Sequence, residues 1–482
     1  MLPSYRYMNA SASIPAVPPL AGICSLEQAM KPGLSVEECV RRLKRYHYAC
    51  KRLHQIFTAR LTAEPLYELK MAFSLHAHLC AEHTAALRKR VGEMREPPLG
   101  LEVVPDASLE LFFDEILAAP TTAELLVGLY GKALPALKRV FERHLSDTNP
   151  LADHPSVRLC RFAVLELDDM LAFGRQAIAA VVEPQAQKNT EAWLKSLDEA
   201  LAAAGELDGT QGSNGVAAPA RRYSARPYQY DRVPKRDRRF PDPFNMAVNA
   251  EVFLYDPKFA PEPKTLMMFY KRLREIDVPE MMASIITETT GKPWEYYRDM
   301  TRQLWDEARH AMMGEVGFEN LGIDWPSKVM INHTWSLALN TQLKPIERHA
   351  VLYFIEQGLM PKTGKRFEWE VGLASHNPLS ALFQDYDWAD EVLHARIGRE
   401  WYLKEFKNPQ EAVKYGDECW SRVLMNWENW REQGLTRHRN WWPEVYQDAC
   451  KRWGVAPDPD VLAYSTSYQT VRADLKELTG SA

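Results

Sequence analysis

The sequence lacks the signatures of disulfide-bonded, membrane-spanning and nucleotide-binding proteins. Its seven Cys residues are odd in number and scattered, without Cys-x-x-Cys spacing, so we expect reduced thiols rather than a disulfide framework or a zinc knuckle. No apolar run approaches the roughly 20 residues of a membrane-spanning helix, and residues 1–22 lack the charged start and apolar core of a signal peptide. A phosphate-cradling glycine loop and a Ser-His-Asp or Cys-His arrangement are also missing. These absences favour a cytoplasmic protein without a membrane partner.

Helical patterns dominate the chain, and strand-like alternation is scarce, so we expect an all-α fold. A length of 482 residues is enough for two to four domains, and the net charge of -5 indicates a mildly acidic globular protein. The predicted organisation is an extended lead (1–34), a helical bundle (35–204), an Arg- and Pro-rich linker (205–244), a second bundle (245–405) and a Trp-rich helical extension (406–482).

The first bundle is predicted to contain four helices, each bounded by helix start and stop signals. Ser35 with Glu38 three residues later has the pattern of a capping box. The predicted helices are Ser35 to Thr62, Pro65 to about Met94 before Pro97-Pro98, Thr121 to Leu145, and Pro155 to Val182.

Two short motifs carry the chemistry of the second bundle. Asp306-Glu307-x-x-His310 and Asp390-Glu391-x-x-His394 share the pattern Asp-Glu-x-x-His, with a Trp one or two residues upstream. Residues at i and i+3 lie on one face of a helix, so each motif can aim a carboxylate and an imidazole at one point. Two such points that face each other can hold two metal ions, and an inward Glu and His without a partner would be costly.

A bundle that builds a two-metal site in this way needs one further Glu on each of two other helices. Gly291 and Pro293 mark a turn after a helical stretch from about Lys264 to Thr290, and an antiparallel partner level with Glu307 falls at Glu275. For the second motif, the helix before the predicted start at Asn377-Pro378 carries Glu356. Spacing tolerates a turn of error, so further candidates remain: Glu280, Glu288, Glu347, His349 and Asp387.

Residues 245–405 resemble the ferritin-like di-iron carboxylate superfamily, which includes rubrerythrin-like proteins and bacterial di-iron oxygenases. The resemblance implies a ferritin-like four-helix bundle in which two iron ions, or one manganese and one iron, are bound. The metal ligands that it implies are Glu275, Glu307, His310, Glu356, Glu391 and His394. It also implies that Asp306 and Asp390 accept hydrogen bonds from the ligand His rings.

Departures from the family narrow the expected function. Position 314 is Gly where ribonucleotide reductase subunits carry a radical Tyr, the Cys-rich module of rubrerythrin is absent, and the extra bundle is unlike storage ferritins. We therefore expect a di-iron or mixed manganese and iron oxidase or oxygenase that uses dioxygen and a small organic substrate, with electrons from an external reductase or from the substrate. A non-redox metal-binding scaffold and a metal-dependent hydrolase remain alternatives, and a homodimer remains an option.

The first bundle has the pattern of a degenerate copy of the second. Glu82 and Asp169 fall where the two motifs would lie, but the position three residues later is Ala in both cases, so we expect no metal there. Ligation by its other candidates (His76, His78, His83 and Cys80) is the weaker alternative, because no complementary cluster is evident on another helix.

Two further segments allow two interpretations each. The linker alternates Arg and Lys with Tyr223, Tyr228 and Tyr230, a pattern that can bind single-stranded nucleic acid, but the negative net charge favours a segment that packs over acidic surface. The Trp residues of the C-terminal extension either cover a core or form the wall of a substrate channel. They are Trp420, Trp427, Trp430, Trp441, Trp442 and Trp453.

Overall fold

The computed structural model describes residues 17–94, 99–212, 217–423 and 427–468. Within these ranges every regular element is a helix, which confirms the all-α prediction. No helix in the same ranges combines the length and the apolar composition that are needed to cross a bilayer. Parts of the predicted lead (1–16) and of the Trp-rich extension (469–482), and the stop signal at Pro97-Pro98, lie outside the described residues.

The first half contains seven helices of six residues or more among the described residues. They are α1 (Val36–Leu61), α2 (Tyr67–Glu93), α3 (Ala107–Leu117), α4 (Thr122–Gly128), α5 (Leu134–Asp147), α6 (His154–Val181) and α7 (Pro184–Ala203). Shorter helical segments are Leu20–Gly22, Leu26–Ala29, the π-helical turn Leu129–Ala133 and Tyr223–Ala225.

Three details differ from the sequence prediction of this half. The prediction of four helices was wrong, because α3 and α7 are additional helices and the predicted third helix is interrupted. Pro135 lacks the N–H that would bond four residues back, and a π-helical turn precedes it between α4 and α5.

The predicted capping box is half formed. Ser35 accepts from the Glu38 N–H at 3.2 Å, but the Glu38 carboxylate bonds Arg41 and Arg42 instead.

The second half continues with eleven helices of this length within the described ranges. They are α8 (Ala250–Tyr255), α9 (Pro261–Arg274), α10 (Asp277–Glu288), α11 (Trp294–Asn320), α12 (Thr334–Gln342), α13 (Pro345–Gly358), α14 (Lys365–Ala374), α15 (Pro378–Trp401), α16 (Pro409–Arg422), α17 (Trp427–Glu432) and α18 (Trp442–Trp453). Shorter segments are Trp325–Lys328, Leu403–Glu405 and Pro459–Leu462.

The single helix predicted from Lys264 to Thr290 is broken between α9 and α10. The ring of Pro279 would clash with the carbonyl four residues earlier, which belongs to Glu275, and Pro279 has no N–H to bond it. The Glu275 carbonyl instead accepts from Val278, three residues on, at 2.9 Å. The chain therefore turns at Glu275, one of the predicted metal ligands.

The two halves pack through α2 and α11, which lie side by side. A buried ion pair joins Lys70 Nζ on α2 to Glu280 on α10 at 2.6 Å, and the indole N–H of Trp294 donates to the carbonyl of Ala81 at 3.1 Å. Separate apolar cores fill the first half and the two sides of the second half. The first half therefore supports the helix that carries the first Asp-Glu-x-x-His motif.

The basic segment between the halves pairs with acidic side chains of both. Arg239 bonds Glu68, Arg232 bonds Glu288, and the carboxylate of Glu115 accepts three backbone N–H groups of residues 222–224. These contacts occupy several of the charges that the nucleic-acid interpretation would need.

Candidate metal centre

The structure brings together the six residues predicted as metal ligands. Glu307 and His310 lie on α11, and Glu391 and His394 lie on α15. Of the two upstream carboxylates, Glu275 lies at the break after α9 and Glu356 lies on α13. Five of the six residues are buried, and Glu275 is partly buried.

The Nδ1 atom of each His faces carboxylates of both motifs or of an upstream helix. His310 Nδ1 lies 3.5 Å from carboxylate oxygens of Glu275 and Glu307. His394 Nδ1 lies 3.1 Å from Glu307 and 3.7 Å from Glu391. We refer to Glu275 and His310 as the His310 half-site and to Glu356 and His394 as the His394 half-site.

Two carboxylates are shared between the half-sites. Glu307 belongs to one group of close donor atoms with Glu275 and His310, and to another with Glu391 and His394. Glu391 also groups with His310. Glu307 and Glu391 therefore lie close to both His rings, whereas Glu275 groups only with Glu307 and His310. Glu356 belongs to none of these close groups, and its carboxylate lies 4.0 Å from His394 Nδ1.

One atom on each of five cluster residues lacks a hydrogen-bond partner in the described part of the chain. Buried atoms without a partner among the described residues include Nδ1 of His310, Nδ1 of His394 and one oxygen each of Glu275, Glu356 and Glu391. Buried polar atoms are almost always paired, so this concentration of unpaired donors in one place requires an explanation. Two imidazoles with four carboxylates form a ligand set suited to iron or manganese, and a bound ion would satisfy each of these atoms.

The second nitrogen of each ring is held by the Asp of the opposite motif. His310 Nε2 lies 3.2 Å from Asp390, and His394 Nε2 lies 3.4 Å from Asp306. Arg309 bonds both aspartates and so ties the two motifs together. An acceptor on Nε2 fixes the tautomer that leaves Nδ1 free to bind a metal. The sequence indicated this role for both aspartates, but not that the contacts cross between motifs.

Buried cations, which the sequence analysis missed, lie on one side of the cluster. Arg272 Nη2 lies 2.9 Å from Glu275, and Lys365 Nζ lies 2.8 Å from Glu391 and 2.9 Å from Asp387. Arg272 also pairs with Asp387. Arg272 could have been noticed, since it precedes Glu275 by one helical turn, but no motif points to Lys365 on α14.

Asp387 is the one additional candidate that reaches the ligand cluster. It is fully buried one turn before Glu391, and its carboxylate lies 3.5 Å from His310 Nδ1. The other candidates lie elsewhere. Glu280 pairs with Lys70 and Arg236, and Glu288 pairs with Arg232 and Arg348.

The remaining two candidates are also occupied away from the cluster. Glu347 accepts from the backbone N–H of Lys344 at 2.8 Å and pairs with Arg422. His349 is buried in contact with the rings of Tyr296 and Tyr402.

Concentrated negative charge dominates the titration of the cluster. Burial favours neutral His310, but the hydrogen bond from Nε2 to Asp390 and the carboxylates of Glu275 and Glu307 that face Nδ1 outweigh it and raise the pKa of His310 to about 10. Burial and the neighbouring Glu391 carboxylate raise the pKa of Glu356 well above its usual value. Burial would also raise the pKa of Glu275 and Glu391, but Arg272 and Lys365 lower that of Glu275 to about 2, and Lys365 lowers that of Glu391 well below its usual value. The protons that the cluster holds therefore lie on the His rings and on Glu356.

The motif-like positions of the first half do not gather in the same way. The His83 ring lies 2.9 Å from Glu166, Glu82 lies 3.9 Å from Arg298, and Asp168 lies 2.7 Å from Lys138. His76 Nδ1 lies 2.7 Å from the Tyr130 hydroxyl.

A different trio of donor groups lies in the first half, and the sequence analysis did not identify it. Cys39, His144 and Asp153 approach one another, with the thiol 3.3 Å from the Asp153 carboxylate. Arg90 already neutralises that carboxylate at 2.9 Å. Burial and the negative charge of Asp153 raise the pKa of Cys39 to about 12, so the thiol keeps its proton. This trio therefore has the chemistry of a structural network.

Comparison of the chain with family models, with curated proteins and with solved structures finds no match. The interpretation of the cluster therefore depends on its own geometry and donor chemistry.

Proposed function

We propose that the cluster binds two iron ions, or one manganese and one iron, and that residues 245–405 form a ferritin-like di-iron carboxylate bundle. On this proposal the protein is an oxidoreductase that uses dioxygen to oxidise or oxygenate a small organic substrate. An external reductase or the substrate itself supplies the electrons. The observation that carries the proposal is the pair of unpartnered Nδ1 atoms, each facing carboxylates of which Glu307 is shared.

Each residue of the cluster has a defined task in this proposal. Glu307 and Glu391, which each lie close to both His rings, would hold the ions together with Nδ1 of His310 and His394. Asp306 and Asp390 keep the opposite nitrogen protonated. When bound, the metal pair supplies the redox chemistry that dioxygen reduction needs. The protein contributes orientation and a site largely shielded from water, in which charge interactions are strong.

The test is elemental analysis of the purified protein, followed by absorption spectra after ferrous iron and then oxygen are added. The proposal expects about two ions of iron or manganese per chain and a new near-ultraviolet band after oxygen. A chain with no metal after reconstitution, or with bound iron and no oxygen-dependent change, would contradict it.

One observation favours a second candidate function. Arg272 and Lys365 carry positive charge next to Glu275, Asp387 and Glu391, where the ion of the His310 half-site would lie. Like charges repel strongly in a buried site. If the cations exclude that ion, the His394 half-site alone would hold one metal, as in a metal-dependent hydrolase or a non-redox scaffold. One tightly bound ion per chain, unaffected by oxygen, would distinguish this candidate.

A further inference from the structure

A cavity of about 450 Å³ reaches the proposed metal centre at Glu275. Its wall includes Val278 and Met281 on α10, and Ile355 and Leu359 at the end of α13. The helices that carry the two histidines, α11 and α15, contribute no residue to its lining. The volume lies in the range of roughly 300 to 1,000 Å³ that is usual for small-molecule sites. The cavity thus adjoins the cluster on the side of Glu275.

Most of the cavity wall is apolar and part of it is aromatic. The rings of Trp335 and Trp420 both line it and stack on each other with centroids 4.2 Å apart. A stacked pair of indoles forms a flat apolar surface, which suits an aromatic or extended alkyl group. Trp420 belongs to the Trp-rich extension, so at least one of those residues borders a cavity.

The charged groups on the wall are already paired with protein partners. Arg274 Nη2 lies 2.6 Å from Glu251, which also accepts from the Tyr468 hydroxyl. Lys271 pairs with Glu368, which lies outside the wall.

The other carboxylates that line the cavity are also paired with cations of the protein. Asp277 pairs with Arg236, and Glu275 pairs with Arg272, so each negative charge is balanced by an Arg, although one oxygen of each carboxylate has no hydrogen-bond partner among the described residues. A charged ligand would have to break one of these pairs or enter the cavity without a counter-ion, and both are costly. A neutral ligand meets neither cost.

We propose that this cavity is the substrate site of the metal centre and that the substrate is a neutral, largely apolar molecule. This inference rests on the proposed function, because Glu275 connects the cavity to the cluster. A neutral aromatic or alkyl compound gains from the burial of its apolar surface against this wall. The charge selection comes from the ion pairs of the wall, of which Glu275–Arg272 also belongs to the proposed metal centre, whereas Arg274–Glu251, Lys271–Glu368 and Asp277–Arg236 do not.

The test compares three probes of similar size on the full-length chain, as purified and after chelation. The probes are 2-methylnaphthalene (neutral), 2-naphthoate (anionic) and 2-naphthylmethylammonium (cationic), with binding measured by calorimetry or equilibrium dialysis. We expect the neutral probe to bind at least tenfold more tightly than either charged probe. Equal or tighter binding of a charged probe, or no binding of the neutral one, overturns the inference.

Variants with a larger side chain in the cavity show whether the neutral probe binds there. Val278→Trp and Leu359→Trp place an indole in the cavity from two different helices, and each should weaken neutral-probe binding at least tenfold. Val316→Trp, an exposed position on α11 that does not line the cavity, is the matched control and should leave it unchanged. Circular dichroism identifies a variant that fails to fold, and unchanged probe binding in both folded variants overturns the location.

Metal analysis of the same samples separates the two proposals. Neutral-probe binding that is lost in the cavity variants, in a chain that takes up no metal, supports the cavity and contradicts the proposed function. A chain that holds two ions and changes with oxygen but binds no neutral probe contradicts the cavity alone.

Discussion

The two half-sites carry the same Asp-Glu-x-x-His motif but lie in different electrostatic surroundings. In the His394 half-site, the carboxylate of Glu356 accepts a neutral hydrogen bond from the Gln303 amide at 3.0 Å. Next to the His310 half-site, Arg272 lies 2.9 Å from Oε1 of Glu275, and Lys365 lies 2.8 Å from Oε1 of the shared Glu391. The oxygens of these carboxylates that face the His rings are the other ones, so the cations disfavour a metal ion there by charge repulsion. Identical motifs therefore do not imply equal affinities, and we expect the His394 half-site to fill first.

The largest expected effect is the loss of metal binding when a shared carboxylate or a ligand His is removed. Glu307→Ala deletes a shared carboxylate and should abolish stoichiometric two-metal binding, as should His394→Ala, with helix content largely intact. Glu275→Ala deletes a carboxylate of one half-site and should reduce the metal content from about two ions to about one. Elemental analysis measures the metal content, and circular dichroism measures the helix content.

The matched control for Glu307→Ala is Glu319→Ala, an exposed position on the same helix. Unchanged metal content in both Glu307→Ala and His394→Ala would refute the ligand assignment.

The crossed contacts predict which half-site each Asp supports. Asp390→Asn on α15 should weaken binding in the His310 half-site, because Asp390 holds that ring from the other motif. The loss of such a partner typically weakens metal affinity by roughly 10- to 100-fold. A titration that resolves two binding steps should show the weaker step shifted, while Asp385→Asn, exposed on the same helix, leaves both steps in place. A shift confined to the tighter step would mean that the crossed contact does not orient His310.

A smaller change should make the half-sites more alike. Lys365→Met keeps the side-chain length but removes a buried positive charge next to Glu391 and Asp387. We expect the lower-affinity metal step to tighten about tenfold, or about 1.4 kcal/mol. The metal-free chain should melt at a lower temperature, because Glu391 loses the buried lysine and Asp387 keeps only Arg272.

The control for this change is Lys362→Met, an exposed position three residues earlier. If Lys365→Met instead lowers the affinity of that binding step, the lysine supports metal binding and does not oppose it.

The smallest expected effect concerns the first half of the chain. Glu82→Gln and Asp169→Asn change the positions that correspond to the motif carboxylates, and neither should alter metal content. Glu82 lies near Arg298 and not among other donors. Reduced metal content in either variant would show that this half also contributes a site.

The sequence located much of the cluster because its geometry is local. The i, i+3 spacing of Glu307 and His310 already puts both side chains on one helix face, and counting from the turn at Gly291 led to Glu275. Pro279 also carries a local signal for the break after Glu275, which the prediction of one helix from Lys264 to Thr290 did not take into account. Capping at Asn377, which accepts from two backbone N–H groups, set the start of α15 as predicted.

Contacts between segments that are distant in sequence were decided only by the tertiary structure. The pairing of each His with the Asp of the other motif depends on how α11 and α15 face each other. The approach of Lys365 depends on the packing of α14 against α15, and the cavity depends on the arrangement of α10, α12, α13 and α16. Helical periodicity specifies which face a residue occupies, whereas the neighbours of that face are set by the packing of the whole chain.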